Sequence, residues 1–150
     1  MFKKVANVVI EELKKGSTPE KLSQGLVGGI LIGMFPLLGT TTLLAIIIAF
    51  CFRLNHVVIQ TTNYLMYPVQ IIMIPVYIKV VSLIFDVGYV PLRPDVLLSQ
   101  FKADPSAFLK QYALIGVYAI GLWCILSIVL YLILYPAILK AVLKFKKGRS

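Results

Sequence analysis

Acidic side chains are scarce in this chain, and its long apolar runs contain none. Only 6 of the 150 residues are Asp or Glu, against 15 Lys or Arg, and charged residues make up 14% of the sequence. A soluble domain has about 25% charged residues, so the composition argues against that class. Because the apolar runs hold no carboxylate, they offer no buried proton carrier, no carboxylate metal site and no intramembrane general acid.

Histidine and cysteine are almost absent as well. His56 is the one histidine, and no second acid, base or nucleophile stands beside it in the sequence. Cys51 and Cys124 lie within apolar runs and lack partners at metal-ligand spacing, which argues against a zinc site or a disulfide framework. We therefore predict that the protein is not an enzyme and has neither a metal site nor a cofactor.

The sequence contains three long runs without charged residues. Leu22–Phe52 has 31 residues without Asp, Glu, Lys or Arg, Leu54–Ile78 has 25 and Gln111–Leu139 has 29. Each reaches the roughly 20 residues that cross a hydrocarbon core of about 30 Å. With 59% hydrophobic residues, the chain is predicted to be an all-α integral membrane protein with a single membrane domain over residues 1–150.

The first uncharged run is broken near its middle by Pro36 and Gly39. Ser17, with Glu20 three residues later, predicts a capping box at the start of this segment, which extends over residues 18–53. The break leaves two arms of about 21 Å each at 1.5 Å per residue, too short to cross the core. We predict a re-entrant helical hairpin, and two strongly tilted crossings are the alternative.

Helix caps, prolines and charge predict the remaining segments. Asn55 caps a transmembrane helix that Pro68 and Pro75 kink, and Asp104-Pro105 starts a second one. The predicted segments are an amphipathic helix at 1–16, a kinked transmembrane helix at 55–79, an external loop at 80–104, a transmembrane helix at 105–135 and a basic cytoplasmic tail at 136–150. The apolar stripe of the first segment either lies in the cytoplasmic interface or packs on the protein.

Basic residues flank the membrane runs at both ends of the chain. This distribution is typical of cytoplasmic segments beside anionic lipid, so both termini are predicted to be cytoplasmic and to contact anionic membrane lipids. The residues are Lys3, Lys4, Lys14, Lys15 and Lys21 before the runs, and Lys140, Lys144, Lys146, Lys147 and Arg149 after them. They are not interleaved with stacking aromatics on a soluble face, so nucleic acid is not an expected partner.

Glycines recur every fourth residue at Gly25, Gly29 and Gly33. Such a stripe lets another helix backbone approach closely. It can serve as a packing surface inside the hairpin or between protomers, or as a ligand groove, and we interpret it as a packing surface.

Thr40, Thr41 and Thr42 follow the break and start the second arm inside the membrane. The unpaired N–H groups and positive dipole end of such a half-helix can hold a phosphate or carboxylate. Alternatively, the threonine hydroxyls cap these N–H groups and stabilise the turn.

A second group of polar residues follows in the next run. Gln60, Asn63, Tyr67 and Gln70 are spaced by three, four and three residues, so they share one helix face. They either bridge helices by hydrogen bonds or line a path for a polar head group, together with the Tyr64 carbonyl that Pro68 leaves unpaired. These four residues and Thr40–Thr42 are the candidate ligand-binding residues.

The segment from Lys21 to Lys79 resembles the core of a bacterial membrane family known as domain of unknown function 2062 (DUF2062). The resemblance rests on the helix start at Ser17-Thr18-Pro19, the glycine stripe, Phe35-Pro36, Gly39, Arg53-Leu54-Asn55, Asn63, the stretch from Tyr67 to Gln70, and Pro75. Relatives often have Asn-Pro where this chain has Tyr67-Pro68, and Gln where Thr41 or Thr42 stands.

The resemblance implies a bacterial inner-membrane protein without an established activity. Some relatives are associated with glycosyltransferase-like proteins of envelope assembly, which implies lipid-linked substrates. We therefore expect a multi-pass protein that binds or translocates a lipid or lipid-linked anionic group. The alternative is a non-transporting accessory or scaffold subunit of a membrane complex, in which the glycine stripe and the basic tails contact a membrane-protein partner or a second copy of the chain.

Overall fold

The structure is a computed structural model that describes residues 2–85, 87, 90, 91 and 93–147, without the side chains of residues 2–6 and 94. This part of the chain is all-helical. In order, its helices are α1 (Phe2–Lys14), α2 (Pro19–Ile32), α3 (Thr41–Cys51), α4 (His56–Leu65), α5 (Tyr67–Phe85), α6 (Pro94–Ala103) and α7 (Pro105–Lys147). The predicted external loop and basic tail lie partly outside the described residues.

The N-terminal cap of helix α2 lies one residue later than predicted. The cap is Thr18, whose side-chain oxygen accepts a hydrogen bond from the Lys21 N–H at 3.3 Å, and Pro19 occupies the first helical position. The prediction of Ser17 as the cap is therefore wrong. A capping box on Thr18 would need Glu or Gln at position 21, where Lys21 stands.

Helices α2 and α3 form the two arms of a helical hairpin. They have 14 and 11 residues, or about 21 and 16 Å, so neither spans a hydrocarbon core alone. Gly39 lies in the connection with φ +81°, a conformation that favours glycine. The Lys21 ammonium donates to the Phe52 carbonyl at 2.9 Å, which holds the outer ends of the arms together.

The helix predicted over residues 55–79 is divided into α4 and α5. Asn55 is confirmed as its cap, since its side-chain oxygen accepts from the Val57 and Val58 N–H groups at 3.0 and 3.1 Å. The division at Met66 precedes Pro68, which has no N–H to give to the Tyr64 carbonyl. Pro75 lies inside α5, which continues past the predicted boundary at Lys79 to Phe85, because the intervening residues contain no helix breaker.

Helix α7 starts where the sequence predicted. The Asp104 carboxylate accepts from the Ser106 and Ala107 N–H groups, both at 3.0 Å. The helix runs through Pro136 to Lys147, 43 residues in all, so the predicted tail does not leave the helix at residue 136. The loop predicted over 80–104 likewise contains the end of α5 and the whole of α6.

Helix α2 lies at the centre of the fold and packs on α3, α4 and α7. Helix α1 covers its base, where Val9 is buried with Leu22, Leu26, Val58 and Val142. The Asn55 amide also donates to the buried Glu12 carboxylate at 2.6 Å. The described part of the α1 apolar stripe therefore packs on the protein, which is the second of the two alternatives that its periodicity left open.

Helices α5 and α7 are long and apolar enough to cross a membrane. Their outward side chains are large and hydrophobic: Leu83 is 77% exposed, Ile72 66% and Leu132 68%. Apolar exposure on this scale is typical of surfaces that meet another apolar phase.

Candidate functional site

The hairpin tip, defined as residues 33–42, is held by two glutamines from the neighbouring helices. The Gln60 amide of α4 donates to the Thr42 carbonyl at 3.1 Å. The Gln70 amide of α5 donates to the Phe35 and Leu37 carbonyls at 2.9 and 3.2 Å. Phe35 and Leu37 follow the end of α2, where carbonyl groups need partners, whereas Thr42 lies in the first turn of α3. Both glutamines bridge neighbouring segments by hydrogen bonds, which is one of the two roles considered for them.

The three threonines lie in different environments at this tip. The Thr40 hydroxyl donates to the Leu37 carbonyl at 3.0 Å, and its side chain makes no capping hydrogen bond to α3. Thr41 is buried with 1% exposure, and Thr42 is half-buried. Thr40 therefore stabilises the turn and leaves the N–H groups in the first turn of α3 without the cap it was expected to give.

Asn63 and Tyr67 lie in different environments in the structure. Asn63 is 1% exposed, and neither its amide oxygen nor its amide nitrogen has a hydrogen-bond partner among the described residues. Tyr67 is 38% exposed, because the division at Met66 interrupts the helix whose regular spacing placed it with the other three. Ligand binding by the seven candidate residues stays a prediction.

The glycine stripe lies against α4 rather than against α3. A Cβ atom on Gly25 would meet the Val58 side chain at 3.3 Å, and one on Gly29 would lie 2.6 Å from the Ile59 carbonyl oxygen. A Cβ on Gly33 would collide with Met66. The stripe is therefore a packing surface within this chain.

Trp123 of α7 packs against the hairpin tip, a contact that sequence reasoning missed. Its indole N–H donates to the Leu31 carbonyl at 2.8 Å, and its ring meets Phe35 edge to face with centroids 4.9 Å apart. It attaches α7 to the end of α2. The signal in the sequence was that the only Trp of the chain stands in mid-helix, where its N–H needs a partner.

A partly open groove of about 310 Å³ lies between α2, α3 and α7, within the size range of small-ligand sites. Its apolar wall contains Leu31, Ile32, Ile48, Phe52, Leu54 and Trp123, with Gly28 at the surface of α2. None of the seven candidate residues lines it. The sequence did not reveal the groove, because its lining comes from three separate segments.

Polar side chains gather at one end of this groove. Lys21 and Gln24 are one turn apart on α2, and Ser127 and Tyr131 are one turn apart on α7. Val142 of α7 packs with Leu22 near the start of α2, whereas Trp123 reaches Leu31 farther along α2. The helices therefore run antiparallel, with the polar end at Lys21 and the apolar end near the hairpin tip.

Lys21 brings a positive charge to the polar end. An ammonium group has three N–H donors, and one of them is used by the Phe52 carbonyl. Two donors therefore remain for an anionic group at the mouth of the groove.

The described part of the chain contains no group of three or more His, Cys, Asp or Glu side chains that could hold a metal ion. Cys51 and Cys124 are free and exposed.

The fold defines an all-helical protein with two helices able to cross a membrane. The chain belongs to the family described as "Uncharacterized protein conserved in bacteria (DUF2062)", which it matches over residues 3–150. The resemblance found in residues 21–79 is thereby confirmed and extended over almost the whole chain. No curated protein and no solved structure matches the sequence.

Proposed function

We propose that this protein binds or translocates a lipid or lipid-linked anionic group in the bacterial inner membrane, and that the groove between α2, α3 and α7 is its binding site. The proposed function is not enzymatic. We also propose that α5 and α7 cross the bilayer and that the α2–α3 hairpin enters the membrane from the cytoplasmic side and returns to that side.

The proposed orientation follows from the charges that meet at one end of the fold. The base of α2 with Lys21 contacts the end of α3, which Arg53 follows. Val142 near the end of α7 packs with Leu22 and α1 at the same end. Lys140, Lys144 and Lys147 therefore lie on the side of Lys21, and such an excess of basic residues is typical of the cytoplasmic side. These residues are also the proposed contacts for anionic lipids.

The observation that carries the proposal is the distribution of polarity along the groove. From Lys21 to Leu31 it follows α2 for ten residues, or about 15 Å. This length equals half of a hydrocarbon core of about 30 Å. A chain from one leaflet would lie along the apolar wall while its anionic head group contacts Lys21, Gln24 and Tyr131.

The test is lipid retention through purification. The protein is purified in mild detergent, and its bound lipids are identified by native mass spectrometry. We expect a stoichiometric anionic lipid on the wild type, and at least tenfold less of it on Lys21→Gln, because the head group loses its cation. Lys102→Gln removes the same charge from an exposed position outside the groove and should retain the lipid.

A second pair of variants tests the apolar wall. Ser127→Phe places a ring in the groove and should displace the lipid, whereas Ile128→Phe changes the next residue, which is 64% exposed, and should not. Equal lipid retention in all four variants and the wild type would exclude the groove as the site.

In the alternative function, an accessory or scaffold subunit, the glycine stripe and the basic tails are the protein-binding surfaces. In this structure Gly25, Gly29 and Gly33 face α4 of the same chain, so a partner helix cannot use them without displacing α4. Binding of a second copy or of another membrane protein would have to use a different surface. We therefore favour lipid binding.

A further inference from the structure

Four buried polar atoms beside the hairpin tip have no partner in the described part of the protein. They are the side-chain oxygens of Gln60, Asn63 and Gln70 and the side-chain nitrogen of Asn63. Asn63 is 1% exposed and Gln70 is fully buried. Buried polar side chains almost always have hydrogen-bond partners, because leaving one unpaired is destabilising.

The three amides border one region. Gln60 reaches the Thr42 carbonyl in the first turn of α3, and Gln70 reaches Phe35 and Leu37 in the connection. Asn63 stands one turn after Gln60 on α4, and its backbone nitrogen is 3.1 Å from where a Cβ of Gly29 would lie. Asn63 therefore lies beside the last turn of α2, one turn along α4 from the glutamine that reaches the first turn of α3.

The chemistry of these atoms selects the ligand. Gln60 and Gln70 use their nitrogens on carbonyl groups, so each presents an oxygen that needs a donor. Asn63 presents one acceptor and one donor in either orientation of its amide. A simple anion would leave the oxygens unpaired, and a metal cation would leave the Asn63 N–H unpaired. A hydroxyl oxygen can accept from the Asn63 N–H and donate to one of the oxygens. Because a hydroxyl group donates one hydrogen bond and a water two, the three oxygens need more than one such ligand.

We infer that Asn63, Gln60 and Gln70 form an internal site at the hairpin tip for hydroxyl oxygen. The ligand is water, or a hydroxyl of a lipid head group. This site is separate from the groove and stands whether or not the groove binds lipid.

The chain offers a direct experiment because it has only three asparagines, Asn7, Asn55 and Asn63. Selective ¹⁵N labelling of asparagine gives three side-chain amide signals in nuclear magnetic resonance, and Asn63→Leu assigns one of them. Asn7 is exposed, and the Asn55 amide is bound to Glu12, so both serve as references. The protein is measured delipidated in a detergent without hydroxyl groups, and again in phosphatidylglycerol nanodiscs.

We expect magnetisation transfer between the Asn63 amide protons and a hydroxyl ligand. Transfer to water in the delipidated sample identifies water. Transfer only to glycerol head-group protons in the nanodiscs identifies the lipid hydroxyl. Absence of both signals overturns the inference.

Thermal stability gives a second readout. Asn63→Leu has the same heavy-atom shape but cannot bind a hydroxyl, so its Tm should fall by roughly 2–6 °C. Tyr77→Phe removes a buried hydroxyl that also lacks a partner but lies in the α5–α7 core, and its Tm should not fall. An Asn63→Leu protein as stable as the wild type would contradict the inference, because removing a truly unpaired amide is not destabilising.

Discussion

Glycines form the contact between α2 and α4, whereas larger side chains fill the contact between α5 and α7. Gly29 of α2 lies so close to α4 that a Cβ would collide with it, and a Cβ on Gly33, just after α2, would collide with Met66, just after α4. Gly116 and Gly121 of α7 have no neighbouring atom within 4 Å of where a Cβ would lie, and the α5–α7 contact is filled by Tyr77, Val81, Ile115 and Ala119. A glycine in an apolar helix of this protein therefore marks close packing only where a partner helix covers it.

The surroundings of α2 and the α5–α7 contact also differ in polarity. Around α2, side-chain hydrogen bonds reach backbone carbonyls from Lys21, Gln60, Gln70 and Trp123. Between α5 and α7, the Tyr77 hydroxyl is buried without a partner among the described residues, and the Phe85 and Tyr118 rings stack with centroids 4.1 Å apart. Part of this difference follows from the break, because Phe35 and Phe52 stand just after the ends of α2 and α3, where carbonyl groups lack a partner within the helix.

The largest effect is expected for Gly29→Ala. The added Cβ would lie 2.6 Å from both the Ile59 carbonyl oxygen and the Thr62 Cβ, so a backbone must move. We expect a loss of about 3 kcal/mol in the free energy of unfolding, the upper end for overpacking, measured by thermal or denaturant unfolding in detergent.

Gly28→Ala is the matched control in the same helix. Its Cβ would meet the end of the Ile59 side chain at 3.3 Å, and this flexible group can move. If both substitutions were equally tolerated, the close α2–α4 contact would be refuted.

Gln70→Leu should have the next largest effect. It removes the donor to the Phe35 and Leu37 carbonyls and should cost about 1–3 kcal/mol. Gln111→Leu, at an exposed position of α7, should stay within about 0.5 kcal/mol of the wild type. Similar stability of the two variants in chemical unfolding would show that Gln70 does not hold the tip.

Gly116→Ala should stabilise the protein slightly. The Cβ enters open space, and alanine restricts the unfolded chain, so a gain of about 0.5–1 kcal/mol is expected. A rise in Tm would sharpen the contrast with Gly29, whereas a clear fall would reveal a contact of α7 with another molecule at this position.

The smallest effect is expected from the pH dependence at Glu12, at the edge of the α1–α4 contact. Hydrogen bonds from Lys15 and then Asn55 hold the pKa of its carboxyl below the usual value of 4.5. The folded pKa is depressed, so this stabilisation is complete above the unfolded pKa and is lost as the pH falls through the folded one.

Thermal unfolding between pH 6 and pH 3 tests this prediction. The wild type should lose more stability on acidification than Glu12→Gln, which cannot titrate at that position. Glu11→Gln, on the exposed side of the same helix, should behave as the wild type does. Parallel pH profiles for the wild type and Glu12→Gln would exclude the carboxylate as the source.

The helix starts at Asn55 and Asp104 could be predicted because a cap is a local interaction between a side chain and the next two or three N–H groups. The start of α2 was misplaced from Thr18 to Ser17, since two adjacent residues can both cap and local sequence did not separate them. Gln60 and Gln70 both reach the tip, as expected for residues predicted to share a helix face. Tyr67 is exposed, contrary to that prediction, because Pro68 divides the helix. Trp123 and the groove were not predictable, as their partners lie far away in sequence.

The sequence by itself determined the apolar class, the hairpin break at Pro36 and Gly39 and the family of the protein, because these depend on composition and local pattern. Only the tertiary structure decided that the glycine stripe faces α4, that Gln60, Gln70 and Trp123 bind the tip, and that Lys21 stands at the mouth of an apolar groove. Periodicity states which residues share a face, whereas the partner of that face is set by packing between distant segments.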